Sequence, residues 1–310
     1  MVYYLQNYAE GWTNGEFIEK MDVQDCLESP PYDKNDENNM YNGHFFHFHK
    51  DIQAKNLQCL SIQGTTKMMK DFIENEIADK YETIMLDRAE NLLHDYFGDA
   101  QYWSMRRSMR FAPKLTQIAN DFRLKHLNSD DNKDGTVLPA KWESHKPKRG
   151  TPEGGPYVCA HVRRKDFVYS RRDQIPNLQS AAEQLLKKCQ IHQVSRVFLA
   201  TDAPKKEIEK LKSFFPKEIE IVNFVPDQET FKNIKDGGAA IVEQIICSKA
   251  RYFVGSPEST FTFRIQEERE IMGFDAKMTF DMLCPSGKFD CSKGSVWKIV
   301  YPTTKQHTEL

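Results

Sequence analysis

The sequence predicts an α/β protein of two domains with a parallel sheet, and three observations carry that expectation. From Tyr157 onward, short apolar runs alternate with amphipathic stretches, and such alternation produces parallel strands joined by right-handed crossovers. A chain of 310 residues usually divides its core in two. Residues 128–156 are rich in Asp, Lys, Gly and Pro and poor in periodic apolar positions, which reads as a linker or long surface loop. The predicted domains are therefore residues 1–150, with the linker at their end, and 151–310.

Taken in order, residues 1–58 read as irregular and aromatic-rich, and residues 84–98 as a helix stopped by Gly98. Residues 112–127 place Leu115, Ile118, Ala119 and Phe122 at helical spacing, with Pro113 tolerated in the first turn. Past the linker the spacing predicts strands over 157–162, 196–201, 218–224 and 251–255. Helices are predicted over 178–190, 205–215, 237–250 and 260–272, the last stopped by Gly273.

Composition narrows the function. Lys and Arg number 43 against 45 Asp and Glu, for a net charge of -2; with Arg163-Arg164-Lys165 as the only dense basic run, nucleic-acid binding is disfavoured. No run approaches the ~18 apolar residues of a membrane span. The first seven residues lack a basic leader and an apolar core, so no signal peptide is read there. The chain ends His307-Thr308-Glu309-Leu310, one position away from a retention address of the endoplasmic reticulum.

Of seven cysteines, Cys284 and Cys291 flank a short polar loop in which a small disulfide hairpin is sterically easy. Cys26 and Cys59 sit in polar contexts; Cys159, Cys189 and Cys247 fall in apolar segments, where free thiols act as small buried hydrophobes. An oxidising compartment fits this division, and seven reduced cysteines in the cytosol is the other reading.

In parallel α/β sheets ligands bind beyond the carboxyl ends of the strands. The first strand after the linker delivers His161, Val162, Arg163 and Asp166 to such an end, with His161 and Arg163 on one face and Val162 on the other. A guanidinium there suits a phosphate group bidentately; a solvated loop beside a core histidine is the plainer alternative. The last junction offers Ser259, Thr260 and Phe261 at a helix start, which is either an anion site or an ordinary cap. Glu267, Glu268 and Glu270 follow, either to orient Arg163 or sugar hydroxyls, or as a solvated helix face. Gly237 and Gly238 open a helix that a base or ribose could approach, with Glu243 able to accept hydrogen bonds from it. The Gly-x-Gly-x-x-Gly, Gly-Lys-Ser/Thr and Gly-x-Ser-x-Gly signatures are missing, which argues against dehydrogenase, P-loop and serine hydrolase chemistry. His47 and His49 alternate on one strand face without an evident third ligand, so a metal site is not expected.

The motifs GGPYVCAHVRRKDF, VFLATDA, KDGGAAIVEQIIC and STFTFRIQEERE, the Cys284/Cys291 tail, and upstream LQNYAEGW, MLDRAENLLHDYFG and FRLKHLNSD together resemble the type 2 GDP-fucose protein O-fucosyltransferases. The resemblance covers nearly the whole chain. It implies a GT-B fold of two Rossmann-like domains. The implied reaction is inverting transfer of fucose from GDP-fucose, without a metal or other cofactor, to Ser or Thr of folded thrombospondin type 1 repeats in the endoplasmic reticulum, by a monomer. It places His161, Val162 and Arg163 on the donor, with Arg163 stabilising the departing diphosphate. Ser259, Thr260 and Phe261 then bind phosphate and ribose, Glu268 matches a glutamate needed for activity, and Asp166 lies where the acceptor docks. Implied disulfides are Cys26–Cys59 and Cys284–Cys291. The sequence departs from the family at Glu243, where an aspartate faces guanine, and at the His-rich stretch. The family's leader, its first Rossmann strand, the glycine-rich turn with its proposed base glutamate and the asparagine-containing donor loop are not recognised in this sequence, so the first domain is expected to be truncated at its start. This leaves an inactive short form that binds GDP-sugar or a partner protein as the alternative reading.

Overall fold

The computed structural model describes residues 2–7, 32–35, 37–43, 53–62, 66–77, 79–80, 83–87, 98–288, 291 and 298–302. It consists of two compact units, Met1–Asp99 and Ala100–Leu310.

The first unit is more regular than its sequence suggests. Strands β1 (Val2–Asn7), β5 (Leu57–Ile62) and β6 (Thr83–Asp87) form a parallel sheet in the order β5-β1-β6. Strands β2 (Tyr32–Asn35), β3 (Met40–Gly43) and β4 (Gln53–Ala54) form an antiparallel one. Helix α1 (Thr66–Phe72) runs into a π-helical turn at Ile73–Ile77. The expected helix over 84–98 is thus corrected at its start, because Ile84-Met85-Leu86 is an apolar run that pairs along β1 instead. Short apolar runs do not separate strand from helix by periodicity. Cys26, the His-rich stretch and the His-Thr-Glu-Leu end lie outside the described residues, and with Cys26 the pairing to Cys59.

In the second unit the segment expected to be a linker belongs to the fold. Helices α2 (Ala100–Ser108), α3 (Pro113–Leu127) and α4 (Asp131–Asp134) precede strand β7 (Gly155–Val162). Arg123, fully buried, holds Asp131 at 2.6 Å and Asp134 at 2.9 Å. Arg107 donates to the carbonyls of Trp142, Glu143 and His145 at 2.7, 3.1 and 2.9 Å. These bonds fasten polar residues 128–145 to the unit, so the contacts divide the chain at Asp99 and not at residue 150.

The remaining elements are α5 (Phe167–Ser170), α6 (Leu178–His192), β8 (Arg196–Thr201), α7 (Lys205–Lys212), β9 (Glu220–Val222), α8 (Gln228–Ser248), β10 (Ala250–Gly255), α9 (Thr260–Met272), α10 (Ala276–Thr279) and β11 (Asp281–Met282). The predicted strands and helices after β7 are among them in order; α8 starts at Gln228 rather than at 237, and α5, α10 and β11 are additional to the prediction. The sheet is parallel throughout, in the order β11-β10-β7-β8-β9. Period-two alternation sends Tyr157, Cys159, Phe198 and Phe253 to a core shared with α3 and α8. Val158, Ala160, Val162, Val197 and Val254 go to the opposite core with α6. A layer on each face explains why these strands read as continuous apolar runs. Gly273 ends α9 in the left-handed region at φ 83°, its N–H closing onto Arg269 and Glu270 carbonyls.

Two cysteine assignments change. Cys284 and Cys291 are bonded as expected, but Cys159 and Cys247 also form a disulfide, Cα to Cα 5.1 Å, and of the three apolar-segment cysteines only Cys189 is free. The sequence hid this bond because its partners lie 88 residues apart, on β7 and α8. Alkylating the unfolded, unreduced protein is expected to label Cys189 but neither Cys159 nor Cys247, and non-reducing digestion should yield their linked peptides; labelling at either one refutes the bond. Closing so long a loop stabilises by up to about 4.6 kcal/mol in the chain-entropy account.

Candidate active site

Three strands end together at the carboxyl edge of the second unit's sheet. β7 is followed by Arg163, β8 by Asp202 and β10 by Ser256, and main-chain bonds tie the three ends to one another. Ser256 N–H donates to the His161 carbonyl at 2.9 Å, its Oγ accepts from Arg163 N–H at 2.8 Å, and Asp202 Oδ1 accepts from Arg164 N–H at 2.7 Å.

The Arg163 guanidinium sits between two carboxylates, 2.7 Å from Asp166 and 2.8 Å from Asp202, and remains 36% exposed. A cation so placed is oriented yet open to solvent, and its fork has room for a further anion. His161 lies one strand position inward, buried, with Nδ1 2.8 Å from Thr262 Oγ1 and its ring stacked on Phe261 at 4.3 Å. Burial first, and the Arg163 charge second, push its pKa down to about 3, so the ring is neutral. The plain reading of His161 as a satisfied core residue therefore holds for the imidazole itself. Val162 faces the other core, and its carbonyl accepts from Thr201 Oγ1 at 2.5 Å.

Helix α9 begins at the same edge. Its cap residue Ser259 is buried, but its hydroxyl makes no capping bond, and the first-turn amides of any helix lack intrahelical partners. Glu258, just before, adopts the left-handed region at φ 52° and pairs with Arg171. Gly255 permits the close approach, since a Cβ there would lie 2.5 Å from the Thr262 methyl. Thr260 is exposed and Phe261 half-buried. Amides, hydroxyls and the positive helix end thus converge beside Arg163.

On the other flank, α8 breaks at Lys235 (φ 56°) and restarts ahead of Gly237 and Gly238. Gly238 serves packing, because a Cβ would come within 3.3 Å of Leu115 on α3, whereas Gly237 faces open space. Glu243, half-buried on this helix, has its pKa pushed up to about 8 by burial and by the Asp202 charge. A carboxyl with a raised folded pKa binds its proton more tightly when folded. Its contribution to stability is therefore full below its ordinary 4.5 and is lost as pH rises to about 8. Relative to Glu243→Gln, the parent chain is expected to lose stability across that window in denaturant titrations; parallel pH profiles refute the assignment.

Glu268 is not brought to Arg163. At about 1.5 Å per residue it lies about 12 Å down α9 from Thr260, and it shares a cavity wall with Ser248 and Lys249, which precede β10 at the opposite edge of the sheet. Its carboxylate accepts from Arg106 at 2.8 Å; Glu267 accepts from Arg106 at 2.5 Å and from Tyr102, and Glu270 from Arg149 at 2.5 Å. All three glutamates are buried and paired, so this run is neither a solvated face nor a set of groups orienting Arg163. The Arg163 guanidinium is oriented by Asp166 and Asp202 and its main chain by Ser256; of these, Asp202 is the one that the sequence reading does not single out. Its signal is position, immediately after the predicted strand 196–201. Among the described residues no cluster of three His, Cys, Asp or Glu is arranged to hold a metal ion.

A strand-end guanidinium held by carboxylates beside a helix start, at the carboxyl edge of a parallel sheet, is a geometry suited to an anionic ligand in an α/β protein. Residues 2–272 match the family described as GDP-fucose protein O-fucosyltransferase, and the chain belongs to that family of glycosyltransferases. It is 43% identical over 303 residues to GDP-fucose protein O-fucosyltransferase 2 of Caenorhabditis elegans, covering 97% of this chain and 69% of the relative. Against the Homo sapiens protein of the same name it is 41% identical over 300 residues, with 97% and 68% covered. A solved structure of POFUT1 in complex with GDP-fucose aligns at 19% identity and a TM-score of 0.45, covering 70% of this chain and 58% of that one.

Proposed function

We propose that the second unit carries, within residues 151–310, the donor site of an inverting fucosyltransferase of GT-B type, in which the first unit takes the acceptor side. It moves fucose from GDP-fucose to Ser or Thr of folded thrombospondin type 1 repeats. The observation that supports this most is Arg163, aligned by Asp166 and Asp202 yet open on its outer face. In this reading the donor diphosphate lies between that guanidinium and the start of α9. It accepts from the amides and hydroxyls at Ser259 and Thr260, and Phe261 closes the floor with His161 behind it. Val162 contributes main chain only.

Charge develops on the β-phosphate as the bond to the anomeric carbon breaks, and Arg163 stabilises it there. The acceptor hydroxyl attacks from the opposite face of the sugar, beside Asp166; its oxygen bonds to the anomeric carbon as the bond to the β-phosphate oxygen breaks, the centre inverts, GDP leaves and the hydroxyl proton is released to water. Glu243 accepts from the guanine edge as a carboxylate, so donor affinity rises as pH approaches 8. Glu268 acts as a positioning residue, holding α2 to α9 through Arg106. We assign the protein to the endoplasmic reticulum as a monomer that needs no metal.

The test is calorimetric titration of the 310-residue chain with GDP-fucose, followed by transfer to a folded thrombospondin repeat with the product anomer read by NMR. Saturable binding that Arg163→Ala removes, with inverted product, is expected. Binding without transfer would favour the inactive short form, and no binding would overturn the donor-site assignment.

A further inference from the structure

We propose that a cavity at the opposite edge of the second unit's sheet binds a small organic monocarboxylate through Arg110. The cavity has a volume of about 250 Å³, just below the roughly 300–1,000 Å³ of ordinary ligand pockets, and suits a molecule of one ring. Phe111, Leu138, Ile245 and Met272 form its apolar walls, and Arg110, Lys249, Asp131 and Glu268 its polar side.

Charge pairing leaves one cation over. Lys249 sits on both oxygens of Asp131, at 2.7 and 2.6 Å. Glu268 is held by Arg106, which also binds Glu267, and Glu267 takes Arg264 at 3.1 Å. Arg107 is buried against carbonyl oxygens and stacks between Trp142 and Tyr301. Arg110 has no hydrogen bond or ion pair among the described residues. The residue is exposed where it lines the cavity; partial burial of its guanidinium, offset in part by the Glu268 charge and reinforced by Arg106 and Arg107, lowers its pKa. A guanidinium in that position is stabilised by an anion whose two oxygens match its fork.

The walls choose the anion. A dianionic phosphate would meet Asp131 and Glu268 across a small space and find apolar surface elsewhere. A monocarboxylate brings one charge and an apolar body for Phe111, Leu138 and Met272. The site is separate from the donor site, since Glu268 and the donor-edge residues lie at opposite ends of α9.

Ligand-observed NMR titration of the full chain with benzoate, benzyl alcohol and inorganic phosphate tests this, with GDP as competitor. Expected are saturable benzoate binding that GDP does not displace, affinity for benzyl alcohol and phosphate about tenfold weaker or worse, and a similar loss in Arg110→Gln. Leu138→Trp, which fills the cavity and leaves Arg110 in place, should abolish benzoate binding as well, with circular dichroism confirming that both variants fold. Benzoate binding that is absent, displaced by GDP, matched by benzyl alcohol or untouched in Arg110→Gln would overturn the proposal.

Discussion

Arg163→Ala is expected to lower the turnover of fucosyl transfer by roughly 10²–10³-fold, the range found when a preorganised charge-stabilising donor is removed. The argument rests on preorganisation. Free in water, an arginine side chain samples many rotamers; here Asp166 at 2.7 Å and Asp202 at 2.8 Å restrict Arg163 before any ligand arrives. Arg163→Lys keeps the charge and loses the fork, so most of the loss should remain. Asp202→Asn removes one anchor while sparing the guanidinium, and a loss of about tenfold in kcat with little change in donor KM is expected of a positioning residue. Steady-state kinetics with GDP-fucose and a folded repeat decide among these. Parent-like turnover in Arg163→Ala would remove the centre of the proposed mechanism.

What the sequence made legible here is what depends on neighbours along the chain. β8 and α9 were readable to their ends, because an apolar run bounded by polar residues and a periodic run stopped by Gly273 are local signals. Alternation of strands and helices pointed to a parallel sheet and to its carboxyl edge, where Arg163, Ser259 and Thr260 stand; the strand order was not legible. Partners distant in the chain were not legible. Arg106 meets Glu267 and Glu268 from 161 and 162 residues away, so a buried ionic lock between α2 and α9 looked like an exposed acidic helix. Likewise the polar composition of residues 128–156 concealed that Arg123 and Arg107 hold them down. Buried charges escape composition arguments, since burial is decided by a partner that the local sequence does not contain.

Arg269 shows how large that hidden component is, and its replacement should have the largest effect on stability. The side chain is fully buried. Its donors reach the carbonyls of Thr279 at 3.0 Å, Ser248 at 2.9 Å, Ala250 at 2.7 Å, Arg251 at 3.3 Å and Met278 at 2.7 Å. The guanidinium also lies 3.8 Å from the Phe274 ring centre. Burial draws its pKa down to about 9, which leaves it charged at neutral pH. One guanidinium thereby joins the end of α8, the start of β10 and the α10 segment, satisfying carbonyls that water cannot reach. Arg269→Met preserves much of the volume but orphans those acceptors, at a cost of about 3–5 kcal/mol, or on the order of 10 °C in Tm for a unit of this size. Arg251→Gln, which breaks a partly exposed pair with Glu153, should cost under about 1 kcal/mol. Denaturant unfolding followed by far-UV circular dichroism measures both. If Arg269→Met unfolded within about 1 kcal/mol of the parent, these carbonyl bonds would not be what holds the amino edge of the sheet, and the brace would have to be sought in the Arg106 and Arg123 networks instead.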